Sequence, residues 1–131
     1  MNKERLQELL AELRQMPGEL DVVRRAEMQT KLARDAARED YDLAVVNALM
    51  SANGALDGKN SDERKMKSDA YLAQHQVVRQ AKLRLSQADS ALLEAQLDRQ
   101  REEDVFTALR TKARLLAAYL EFVAGAPRNN H

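Results

Sequence analysis

The stretch SDERKMKSDAYLAQHQVVRQAKLRLSQADSALLEAQLDRQREEDVFTALRTKARLLAAYLEFV, residues 61–123, decides the fold: it contains no proline and no glycine. Tyr71, Val78, Leu85, Leu92, Phe106, Ala113 and Leu120 recur at multiples of seven. Ala81, Ala88, Ala95, Leu109, Leu116 and Val123 follow three positions further along their repeats. A three-four alternation of apolar residues is the signature of a helix lying in a coiled coil. Half of this second set is alanine (Ala81, Ala88 and Ala95), so one portion of the helix calls for a close neighbour.

Working outward, the composition agrees. The 131 residues are 44% apolar and 32% charged, with four glycines and two prolines, which is the balance of long helices. An all-α fold follows: an antiparallel helical hairpin or coiled coil with a long C-terminal helix, assembled into an oligomeric helical bundle. Lysine plus arginine and aspartate plus glutamate stand at 21 each, so no net field draws the whole chain to nucleic acid. Such a contact has to come from local clusters, and Arg79, Lys82 and Arg84, with Arg110, Lys112 and Arg114, form two. Cysteine is absent, which fits a reducing cytoplasm. The leucines of MNKERLQELLAEL are interrupted by charge, and Leu115 to Ala126 contains Glu121, so neither a secretory signal nor a membrane span is expected.

The pattern predicts a single domain, 1–131, in five parts. A first amphipathic helix covers 3–15 with Leu6, Leu9, Leu10, Leu13 and Met16 on one stripe, and Pro17-Gly18 predicts a corner after it. A second helix covers 19–51, a loop 53–60, a long helix 61–124, and a polar tail 125–131. Within the long helix, residues 98–104 (DRQREED) lack any apolar side chain and place Arg99 and Glu102 in the seam. Buried unpaired charge is costly, so this segment is solvated, internally paired or bent outward. Helix propensity favours continuity.

Small residues on the second helix, among them Ala26, Ala33, Ala37, Ala44 and Ala48, predict that it meets the alanine face of the long helix. A fold-back at residues 56–57 sets Ala26 near Ala88 and Ala33 near Ala81. The first helix then reaches only to about Thr111. With Leu115 and Phe122 the C-terminal turns are apolar on more than one face, and Phe106, Leu109, Leu116, Tyr119, Leu120 and Val123 are left as a candidate oligomer interface, since contiguous exposed apolar surface marks an interface.

The loop NGALDGKN supplies turn chemistry. Gly54 suits a left-handed helix end, Gly58 a tight turn, and Asn60 with Glu63 forms a capping box. Gly58, Lys59, Asn60, Arg64 and Lys65 make a candidate anion- or partner-binding loop at a helix N-terminus, although Asp57, Asp62 and Glu63 offset the charge. The string Asp57-Gly58-Lys59-Asn60 followed by Glu63-Arg64-Lys65 resembles the loop of small helical phage or prophage proteins. That resemblance covers about ten residues and implies a viral accessory role, in some cases beside DNA replication or recombination, with no catalytic residues to carry over.

Chemistry is scarce elsewhere. His75 and His131 lack metal-ligand spacing, and the serines lack a nucleophile elbow or base. Acid pairs such as Glu102 and Glu103 read as helix surface. Met28, Met50 and Met66 are expected to fill gaps near the hairpin, and the tyrosines to pack at core edges. No enzyme, cofactor or metal is expected. The expected partners are further copies of the chain and a second protein, with nucleic acid as the alternative and no membrane.

Overall fold

The computed structural model describes residues 2–52, 54 and 56–125. Those residues form three helices, α1 (Asn2–Met50), α2 (Ser61–Gln74) and α3 (Gln76–Gly125), and α3 packs antiparallel against α1. The fold is an all-α helical hairpin. Of the polar tail, Gly125 ends α3, and 126–131 lie outside the described residues.

The corner predicted at Pro17-Gly18 does not form: the separate helices 3–15 and 19–51 are one helix with Pro17 inside it. The reason is the seam. Along α1 the seam runs Leu6, Leu9, Leu13, Met16, Leu20, Val23, Glu27, Thr30, Arg34, Ala37, Tyr41, Ala44 and Ala48, alternating three and four without a slip, with Val45 and Leu49 half-buried beside it. Pro17 and Gly18 fall on the exposed side of this register. Proline there removes one backbone donor, to the carbonyl of Leu13, while buried Met16 and Leu20 hold the chain helical on either side.

The long helix predicted over 61–124 is broken once, at His75, which adopts an extended backbone (φ −74°, ψ 118°). Its N–H donates to the carbonyls of Tyr71 (3.1 Å) and Leu72 (3.2 Å), closing α2. Its ring Nδ1 accepts from the Val78 N–H at 3.4 Å, opening α3 in the manner of an N-cap. One residue therefore caps two helices. No bend occurs at 98–104, where α3 is continuous.

Contacts group the chain into two compact units, residues 1–27 with 95–131, and residues 28–94. In the first, Leu9 (2% exposed), Met16, Leu20 and Ala113 are buried, and Leu6, Leu13, Phe106, Leu109, Leu116 and Leu120 are half-buried. Its polar layer is internally paired. Arg99 is hydrogen-bonded to Glu27 and lies 3.1 Å from Glu103, which Arg24 also approaches at 3.5 Å. The bond to Glu27, then its charge, raises the pKa of Arg99 above the ordinary guanidinium value.

In the second unit, Ala44, Ala48 (2% exposed), Val78 and Ala81 form a core cluster, with Tyr41, Val45, Tyr71 and Leu72 packed against it. Alanine does meet alanine, but in a different register from the predicted one. The ion pairs Glu27–Arg99 and Arg34–Asp89 (3.8 Å) set the fold-back near residue 63 rather than 56–57. α2 lies between the paired lengths of α1 and α3 in the chain, and its Tyr71 and Leu72 pack against the same cluster. Ala26 and Ala33 are consequently exposed, and Ala81 packs with Ala44 and Ala48. Met28, Met50 and Met66 are exposed too, so they fill no gap in the described fold.

Candidate interaction surfaces

The loop is built largely as predicted. Gly54 has φ +81°, a left-handed conformation that favours glycine, and its carbonyl accepts from Asp57 N–H at 3.1 Å. At Gly58 an added Cβ would come within 3.1 Å of the Arg64 backbone nitrogen, so a larger residue requires the loop and helix to shift by a few tenths of an ångström. Asn60 is the N-cap of α2, its side-chain oxygen accepting from Glu63 N–H at 2.8 Å. The return bond of the capping box is displaced by one residue: the Glu63 carboxylate accepts from the Lys59 N–H at 3.1 Å.

These same bonds use up much of the charge proposed for anion binding. Lys67 Nζ donates to the Asp57 carbonyl at 2.6 Å and lies 3.5 Å from the Glu63 carboxylate. Arg64 donates to the Gly58 carbonyl at 3.3 Å. Of the candidate loop residues, Lys59 and Lys65 keep side chains without an ion pair among the described residues. The loop is a fastened hairpin tip with two outward cations.

The six candidate interface residues divide. Phe106, Leu109, Leu116 and Leu120 lie half-buried on the seam of α3, in the same unit as Leu6, Leu9 and Leu13 of α1. The expectation that these turns lack an internal partner is corrected: the shifted register carries α1 past Thr111 to their level. Tyr119 (52%) and Val123 are exposed. Leu115 (67%) and Phe122 (74%), which the sequence reading also placed among the C-terminal apolar residues, are exposed on the outward face. Leu115, Ala118, Tyr119 and Phe122 follow the spacing i, i+3, i+4, i+7, a second apolar stripe beside the seam. That spacing was readable, but it overlaps the stronger heptad and was absorbed into it.

Two further features lie in the unit of residues 28–94. Where α2 and α3 diverge at His75, a groove of about 650 Å³ opens, lined by Tyr41, Leu72, Arg79, Lys82, Leu83 and others. Arg79 and Lys82 make no ion pair among the described residues, and Leu83 is exposed. On the outward side of α1, Leu43, Val46 and Met50 are exposed one helical turn apart, preceded by Glu39 and Asp42, which also lack an ion pair among the described residues. In the other basic cluster, Arg110 stacks over the Phe106 ring at 5.4 Å.

No helix among the described residues is long and apolar enough to cross a membrane. No family model matches the chain, and neither does any curated protein or solved structure.

Proposed function

We propose that this chain is a non-enzymatic, self-associating coiled-coil protein that acts as an interaction scaffold. The observation that supports it is the outward stripe Leu115, Tyr119 and Phe122, three large apolar side chains exposed on one face of a helix whose other face is already packed. Isolated exposed apolar residues are ordinary; a stripe at helical spacing is a surface for a second helix. The loop resemblance extends the proposal to a phage or prophage accessory factor working in the host cytoplasm, with a protein partner held at the loop or helix ends.

Light scattering at micromolar concentration tests the reading. The expected mass exceeds the 14.8 kDa of one chain, and L115S/Y119S/F122S weakens the association. A wild-type mass of one chain at all concentrations overturns it.

The second reading is an accessory protein that binds nucleic acid, supported by the unpaired cations Arg79 and Lys82 with Arg84 beside them. It predicts binding to labelled single- or double-stranded DNA that falls steeply with salt. Absence of binding at low salt removes it.

A further inference from the structure

The groove and the acidic stripe of residues 28–94 are built as counterparts. On α3, Arg79 and Lys82 stand one turn apart and are followed by Leu83; on α1, Glu39 and Asp42 stand one turn apart and are followed by Leu43. The first pattern reads cation, cation, leucine, and the second carboxylate, carboxylate, leucine. All six residues are exposed. None of the four charges has an ion-pair partner among the described residues, so neither set neutralises the other within the chain.

Apolar surface accompanies the charge on both sides. The groove carries Leu72 and Leu83 on its walls with Tyr41 and Val78, and one carboxylate, Asp69, stands in the lining with the two cations Arg79 and Lys82. The stripe continues from Leu43 (60% exposed) through Val46 to Met50 (77%), one row along the outward face of α1. A lone apolar row with carboxylates at its start is the shape of an amphipathic helix seated in a groove with basic rims. Opposite potentials on two such surfaces fix orientation and exclude other pairings.

We infer that the stripe Glu39–Met50 of one copy docks in the α2–α3 groove of a second copy, with Glu39 and Asp42 against Arg79 and Lys82. This rests on the self-association proposed above and names a contact for it distinct from the Leu115 stripe. Because each copy carries both surfaces, a two-fold pair makes the contact twice, groove to stripe and stripe to groove.

Charge exchange tests the contact without depending on a single variant's folding. In R79E/K82E the groove becomes acidic against an acidic stripe; in E39K/D42K the stripe becomes basic against a basic groove. Each variant alone is expected to associate about tenfold or more weakly than wild type. Mixed in equal amounts the two are complementary at both contacts, so association returns toward wild type in the mixture, and circular dichroism checks that each variant is helical. If wild type associates while both variants and their mixture keep its affinity, this contact is wrong and the broader reading stands. If wild type is monomeric, both fall. Binding of DNA lost in R79E/K82E, with association unchanged, also overturns the contact and gives the groove to nucleic acid.

Discussion

Replacing Pro17 by alanine is expected to stabilise the protein, which is the reverse of what a corner residue would do. Alanine restores the N–H that Pro17 lacks and lets it donate to the carbonyl of Leu13. Proline in a helix interior costs about 3 kcal/mol relative to alanine. Proline also restricts the unfolded chain, and losing that restriction returns about 1 kcal/mol to the unfolded state. The net gain is about 2 kcal/mol. Gly18→Ala adds about 0.5–1 kcal/mol, since Gly18 is helical and exposed and an added Cβ meets nothing within 4 Å. For a chain of this size the double variant melts on the order of 10 °C higher. The assay is urea and thermal unfolding followed by helical circular dichroism, at one fixed protein concentration because association shifts the midpoint. An unchanged denaturant slope confirms that stability alone has moved. If either substitution lowers the midpoint, Pro17-Gly18 is a turn between two helices, and the unbroken seam from Leu6 to Ala48 is wrong.

Ala48→Leu, at a position 2% exposed, should overpack the core cluster and cost about 1–3 kcal/mol, whereas Ala33→Leu on the surface should change stability by less than about 0.5 kcal/mol. Equal effects in urea titrations would restore the register centred on residues 56–57. Leu9→Ala should cost about 2–5 kcal/mol by leaving a cavity against α3, and a loss confined to tenths of that would mean the N-terminal turns of α1 do not pack. Asn60→Ala should cost about 1 kcal/mol through loss of the bond to Glu63 N–H, with Asn60→Asp retaining most of it; equal stability of the two variants would show that the cap contributes nothing.

The seam of α3 was legible because its period survives changes of residue size. Val78, Ala81, Leu92 and Ala113 are buried where the heptad places them, and Arg99 sits in the seam as read. The loop was legible because each of Gly54 and Asn60 has one strong local use. What misled was local punctuation judged without its register. Pro17 and Gly18 are the strongest breakers in the chain, yet the three-four alternation crosses them, and counting it from Leu6 through Leu20 would have kept α1 whole. His75 was the opposite case: no proline or glycine marks it, and Tyr71 and Val78 stay seven apart on either side of the break. The fold-back point then followed wrongly, because α2 was counted as part of the paired length. The outward surfaces were hardest to read, since apolar residues off a heptad look like noise until burial shows which face is already filled.

The pairing of Glu27 with Arg99 carries a consequence for how the hairpin avoids misalignment. Sliding α3 along α1 by a full seven residues keeps apolar side chains opposite apolar side chains at most levels of the interface, so there only mismatched side-chain size opposes the slip. The guanidinium, however, would then face either Leu20 or Arg34, an oily neighbour in one direction and a like charge in the other. With the Arg34–Asp89 pair, this polar rung lets a monotonous ladder know where its first step is.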